Sequence, residues 1–402
     1  MIAAPERGGA RAPPGTTAPP LTSLEARSCA GISAVAAADW DALVRPGAGP
    51  LRHAFLEAAT RIELAAFEFR PLVVSAAGGG GGLAAHAPAY RYDLDCGLFA
   101  TGRAARVLAS VRSVWRRFLV LRVFELGCPV ALCEPFSVAP GVDPVAAVDA
   151  LARAAIDQAG RAGAELVIAH DFESGEPGIA PAVLARLGFE PVPILPNFIV
   201  DLDGRFETFE AYLAAMRSPY RRRARLRLEQ AAALRPEVSS SLGDAAPELA
   251  RLWRSTYDRA SEDRREILPE AFFRAIDGLP YVRVITLRRP DGSIASFALL
   301  HEDGETLRFL YSGFLVEAQE EGAYFRLLYE IIRVAIEGRF ARVNLGWTTA
   351  GPKLDLGARI VPLEAWIRHR RRARQRALAW AMRDLLRSPA PAPRRVFREA
   401  AP

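Results

Sequence analysis

The string N-L-G-W-T-T-A-G-P-K-L-D-L-G-A, residues 344–358, gathers the most chemically useful side chains in the sequence. Asn344 and Thr348 stand where an apolar strand over 341–345 ends, so they either hydrogen-bond a substrate or only fix the turn. Trp347, between them, belongs to the same candidate binding surface. Lys353 follows near a short helix and is the only lysine in 402 residues, every other basic side chain apart from histidine being arginine. A compact ammonium there holds a carboxylate or phosphate, or stabilises a tetrahedral oxygen; the competing reading is a surface lysine near a helix start. Tyr324, on a helix over 322–336, offers a phenolic proton donor, although a tyrosine on an apolar helix face is more often core. A second basic stretch, F-E-A-Y-L-A-A-M-R-S-P-Y-R-R-R-A-R over 209–225, puts Tyr220, Arg221, Arg222 and Arg225 on adjoining helical faces. Such a face grips phosphates or is simply solvated.

Other chemistries find little support. Cys29, Cys96, Cys128 and Cys133 form no C-x-x-C pair and the five histidines are scattered singly, so no metal site and no disulfide framework is expected. Cys128 and Cys133 have no histidine close in sequence and read as buried structural thiols. The net charge of +6 is concentrated at 217–227 and 368–376, which suits an anionic ligand or partner.

The elements that must position these groups follow from periodicity. The length fits two domains. Half of the residues are apolar, yet no apolar run reaches the roughly 18–20 residues of a membrane span. The Pro-, Gly- and Arg-rich residues 1–25 read as a disordered arm without a signal-peptide core, and a cytoplasmic location is expected. In the second half, a strand over 237–242 and helices over 247–261 and 269–276 precede three extended segments at 281–287, 294–301 and 306–313. Turns at Pro290-Asp291-Gly292 and Glu302-Asp303-Gly304 make those three an antiparallel meander. The helix over 322–336, the strand over 341–345, a short helix near Pro352 and a strand over 360–367 complete the set. The first half repeats this order faintly. It has short helices in 37–60, strands over 69–75 and 83–90 joined across 78–82, a strand over 118–124, and a helix over 144–160 running into 166–169. Helix, glycine turn and buried strand recur at matching places in both halves, as a duplication predicts. The Pro-rich stretch 191–196 with 198–202 reads as the crossover, and 206–234 as one long bridging helix.

This element order resembles that of a GNAT acyltransferase domain. The motif over 344–358, the block over 209–225, and the G-F-E and D-F strand ends of the first half resemble a bacterial group of Fem-like, double-domain GNAT N-acetyltransferases, over about 40–370. The resemblance implies an α/β (α+β) fold of two tandem GNAT-like domains, each a mixed, mostly antiparallel sheet flanked by helices. It divides the chain into the arm at 1–25, a degenerate first domain at 26–200, the bridging helix at 201–235, a catalytic domain at 236–370 and a basic amphipathic tail at 371–402. It further implies an acyl-CoA co-substrate whose pantetheine lies between splayed strand edges, here Tyr311, Ser312, Gly313 and Phe314 against 344–347. The pyrophosphate would sit at the helix start containing Gly322 and Ala323. Glu320 and Glu321 depart from the usual glycine-rich loop and would repel phosphate. Three functions stay open: acyl transfer from acyl-CoA to a small amine, aminoacyl transfer from charged tRNA to a cell-wall or lipid precursor, and non-catalytic binding. The tail, with Leu378, Met382 and Leu385 among arginines, lies on an anionic membrane or packs across the second domain.

Overall fold

A computed structural model of the chain describes residues 24–76, 82–96, 102–260, 265–385 and 392–398. The expected arm, apart from residues 24 and 25, and the glycines at 78–81 lie outside them. The strands of the first half are β1 (Leu24–Ser28), β2 (Glu68–Phe69), β3 (Leu72–Ala76), β4 (Leu83–Ala87), β5 (Ala89–Asp95), β6 (Val120–Leu126), β7 (Ser137–Val138), β8 (Leu166–Glu173) and β9 (Glu190–Asp201). Those of the second are β10 (Arg235–Ser239), β11 (Val282–Arg288), β12 (Ile294–Asp303), β13 (Thr306–Phe314), β14 (Arg342–Asn344) and β15 (Arg359–His369). The chain is a mixed, antiparallel-rich α/β protein with helices packed on its sheets.

The 11-stranded sheet runs β10-β11-β12-β13-β14-β9-β15-β8-β6-β5-β2, and β1-β3-β4-β7 form a small second sheet. Its centre holds a reciprocal exchange. β9, the last strand of the first half, pairs antiparallel with β14 of the second through Ile199↔Asn344 and Asp201↔Arg342. β15, the last strand of the second half, lies between β9 and β8. Backbone pairing therefore crosses between the halves on both sides of β15, and an apolar cluster drawing on Phe55, Tyr90, Phe272 and Phe297 packs across them as well.

The Pro-rich crossover is strand rather than loop. Pro191 and Pro193 face Trp366 and Glu364 of β15, on a stretch where β9 has no ladder partner on its other side. Proline's missing N–H is tolerated at such an edge, and Pro196 falls at the register shift between Val361 and Leu363.

Several boundaries differ from those expected. The strand over 83–90 divides at Pro88 into β4 and β5, which enter different sheets, and Pro71 likewise separates β2 from β3. β1 and the helices Gly102–Val114 and Ile179–Arg186 were not anticipated. The single helix over 206–234 is two, Phe209–Ala215 and Ser218–Gln230. Pro219 has no N–H for the Ala215 carbonyl and its ring would crowd that oxygen, so one helix cannot run through it, and Met216 and Arg217 are extended. Met216 there bridges to Phe397 of the C-terminal segment 392–398. The tail forms the helix Arg372–Leu385, which packs on β9 and β15 with Ala379 buried and Leu378 against the core.

The helix Ala246–Arg259 crosses β13 at very short range. A Cβ added at Gly313 would come 2.4 Å from the Phe297 ring and 2.6 Å from the Trp253 amide nitrogen. Gly313→Ala should therefore destabilise the fold by about 1–3 kcal/mol through overpacking, read as a lower urea midpoint at unchanged slope.

Candidate functional site

β13 and β14 run parallel only from Thr306↔Arg342 to Arg308↔Asn344. Beyond that point β13 continues to Phe314 while the chain after Asn344 turns away, and a register shift places Leu310 as an extra residue in β13. The strands thus part, as a bulge favours. A cavity of about 610 Å³ occupies the opening. Tyr311, Ser312, Phe314, Tyr324, Asn344, Trp347, Thr348 and Lys353 all line it.

The loop after β14 is held under strain. Gly346, Thr348 and Thr349 have φ of 69°, 59° and 51°, a left-handed conformation that β-branched threonine rarely adopts. Asn344 Oδ1 accepts from the Gly346 amide at 2.9 Å. Lys353 Nζ donates to the Gly346 carbonyl at 3.1 Å and to that of Trp347, and lies 5.5 Å from the centre of the Phe198 ring. Lys353 is only 2% exposed, so it is no surface lysine, and burial lowers its pKa to about 7. Its helix, Ala350–Asp355, is anchored by Asp355, whose buried carboxylate accepts from Arg223 at 2.7 Å and also pairs with Arg394 from the segment 392–398. Tyr324 bonds Thr349, and burial pushes its phenol up to about 12, keeping the proton on at neutral pH.

Another part of the wall was not foreseen. The first half supplies Cys128–Leu132 and His170, and the loop before the helix Glu270–Ile276 supplies Arg265 and Glu266. Arg265 reaches Glu266 at 3.0 Å, Glu125 at 3.0 Å and the Pro129 carbonyl at 2.7 Å. Tyr311 of β13 donates to Glu266 at 2.6 Å, and Tyr92 to Glu125 at 2.7 Å. His170 lies between Glu125 at 3.0 Å and Asp171 at 2.6 Å, with neither ring nitrogen on the axis of a good hydrogen bond. Burial opposes its charge, but those two carboxylates prevail and raise its pKa to about 10. Burial would also neutralise Glu125, yet His170 and Arg265 hold its carboxyl well below the usual range. These side chains are aimed by an irregularity of β8, where His170 and Asp171 together face one residue of β15 and Asp171 takes a φ of 72°. Gly127 is required beside them, since a Cβ there would lie 2.1 Å from His170 Nε2.

Six of the anticipated residues stand apart from the cavity wall. Gly313 is closed off by the helix above it, and Gly322 and Ala323 form the cap and buried first residue of the helix Ala323–Glu337. The acidic loop is partly neutralised, because Glu321 pairs with Arg289 at 2.6 Å, while Gln230 donates to the Glu320 carbonyl at 2.8 Å. Phe314 lines the cavity, but its amide already donates to Thr256 and its carbonyl accepts from Arg259. Arg221 is tied to the carbonyls of Ala214 and Met216, Arg225 is exposed, and Tyr220 lies near the Arg223 guanidinium. The face of this helix that meets the protein carries Arg223 and Arg227, and the Arg227 guanidinium lies 3.6 Å from the centre of the Phe325 ring on the cavity wall. Among the described residues no group of three or more potential metal ligands occurs.

The buried ammonium has a measurable consequence. Lys353 is protonated up to 10.5 when unfolded but only to about 7 when folded, so between those values the unfolded chain binds the extra proton and stability rises with pH. Lys353→Met should abolish that part of the rise, seen by comparing urea midpoints of both proteins at pH 7 and pH 10.

Residues 214–353 match the family model described as an acetyltransferase (GNAT) domain. A tandem GNAT protein from the clavulanic acid biosynthesis pathway is similar at 14% identity and a TM-score of 0.50, covering 86% of this chain and 98% of that one. FemX is similar at 14% identity and 0.46, covering 74% and 88%. The C-terminal domain of a putative lysylphosphatidylglycerol synthetase from Agrobacterium fabrum is similar at 16% identity and 0.46, covering 74% and 84%. A search of curated proteins gives no match. Over residues 214–353 the sequence thus matches an acetyltransferase (GNAT) domain, and the chain as a whole shares its fold with a tandem GNAT protein.

Proposed function

We propose that this protein is an N-acyltransferase that moves an acyl group from acyl-CoA to a small-molecule amine within a ternary complex. The observation that carries the reading is the parting of β13 and β14 after Arg308 and Asn344, which opens strand edges onto a cavity large enough for a thioester arm and an acceptor. The acceptor nitrogen, its ammonium proton released to solvent, attacks the thioester carbonyl; the C–N bond forms, the C–S bond breaks, the thiolate leaves with a proton, and the proton then shed by nitrogen restores the donor. Tyr324, protonated at neutral pH and lining the cavity, is the donor of the thiolate's proton. Lys353 acts through the loop it holds, fixing Trp347 and Thr348 on the wall. Glu266, held by Arg265 and Tyr311, offers a carboxylate to the acceptor's ammonium.

A second reading takes the acyl group from aminoacyl-tRNA instead. The helix start at Gly322, with Glu320 and Glu321 beside it and Gln230 against it, favours this donor over a pyrophosphate. Both donors are cytoplasmic, and that location belongs to the proposal.

Thermal unfolding with acetyl-CoA, longer acyl-CoAs and CoA distinguishes them. A ligand at ~100 times its Kd stabilises by about 2.7 kcal/mol, so an upward shift is expected with a thioester. No shift with any thioester, together with transfer from charged tRNA, would establish the second reading; no turnover with either would leave a binding protein. Glu266→Gln should raise the KM for the amine by roughly 10- to 100-fold, the worth of a hydrogen bond to a charged group, with a smaller effect on kcat. An unchanged KM would remove Glu266 from the acceptor site.

A further inference from the structure

Between Asp95 and Glu125 the sequence contains six arginines and no acidic residue. The helix Gly102–Val114 lies in this stretch, and its described side chains fasten it along one edge. Leu108 is buried, Arg112 pairs with Asp95 at 2.8 Å, and Arg117, just past the helix, pairs with Asp93 at 2.8 Å. The adjoining face carries Val107, Val111, Val114 and Trp115 at spacings of four, three and one, which align them as a stripe. That stripe faces solvent: Val114 is 91% exposed, Val107 63% and Trp115 61%. The Phe118 ring lies 5.2 Å from that of Trp115 and tilted against it, and Leu119, 45% exposed, extends the patch past the helix end with a φ of 61°. Arg106 and Arg116 are exposed beside it and make no ion pair among the described residues.

An apolar stripe ending in tryptophan, flanked by arginines and free of carboxylates, has the chemistry of a helix lying in the plane of an anionic bilayer surface. Valine and tryptophan side chains enter the headgroup boundary while guanidinium groups meet lipid phosphates. A nucleic acid would match the arginines but not the exposed valines, and a second copy of this chain would bring the same positive charge against itself. We infer that the face formed by the helix Gly102–Val114 and residues 115–119 docks this protein onto anionic membrane surfaces. The inference is independent of the acyl donor, and it concerns a different surface from the helix Arg372–Leu385.

Vesicle sedimentation with the purified full chain tests it, using phosphatidylcholine alone and an equal mixture of phosphatidylcholine and phosphatidylglycerol. The protein is expected to sediment with the mixed vesicles and not with phosphatidylcholine alone, and to be released as salt screens the attraction. Val114→Ser with Trp115→Ser, both solvent-facing and so compatible with folding, should weaken binding about ten-fold or more. Arg106→Gln with Arg116→Gln should reduce the preference for phosphatidylglycerol. Trp380→Ser, on the C-terminal helix, should leave binding unchanged. The inference is overturned if the wild-type chain stays in solution with the mixed vesicles, if the serine variant binds as well as wild type, or if the protein pellets equally without vesicles, which would make the face a self-association surface.

Discussion

β15 lies between β9 and β8, and most of the molecule depends on that placement. Its backbone groups are satisfied on one edge by β9 and on the other by β8, both strands of the first half. Hydrogen-bonding groups removed from water have to be paired, so neither half can keep a complete central sheet by itself. The exchange also shapes the cavity. By drawing β9 toward β15 along residues 190–197, it leaves β14 with only a three-residue ladder, and β13 is free to part from it.

Two kinds of buried charge meet at the opening and follow opposite logic. Lys353 has no carboxylate partner among the described residues; it is held by carbonyl oxygens beside an aromatic ring, and burial acts on it with little opposition. Glu125, His170, Asp171 and Glu266 are also buried, with Arg265 partly so, but each member faces an opposite charge. Buried pairs of this kind contribute little net stability compared with apolar packing, yet removing one partner strands the other. What they supply is position: Arg265 joins Glu125 of the first half to Glu266 on the cavity wall. The first half is thereby part of the site.

Much of this was legible in the sequence. The meander of β11 to β13, the helix that follows it and the residues 344–353 could be read because turn signals, helical spacing and a clustered motif are local properties. The solitary lysine also drew attention to the loop after β14, although its burial was not visible in a list of neighbours. What escaped reading was non-local. Nothing near Pro191 or Pro193 reveals that a proline-bearing segment can pair on one edge, and nothing near His170 or Asp171 reveals the irregularity that turns both toward the cavity. Arg265 and Glu266 stand in the charged run S-E-D-R-R-E, where no spacing singles them out. The basic helix misled for a related reason: charge pattern gives a face, but whether that face meets ligand, solvent or a buried aspartate such as Asp355 depends on distant chain.

The exchanged strands bear on the order in which the molecule assembles during synthesis. β8 is complete once residue 173 has been made, but the partner for its open edge, residues 359–369, comes almost two hundred residues later. Until then a nascent chain presents the apolar strand L-V-I-A-H-D-F-E with an unpaired backbone edge, an arrangement prone to pairing with other chains. Closing so long a loop is slow relative to forming local helices and hairpins. The gene order of the two halves therefore builds a waiting period into folding, and the first half spends it as an open sheet.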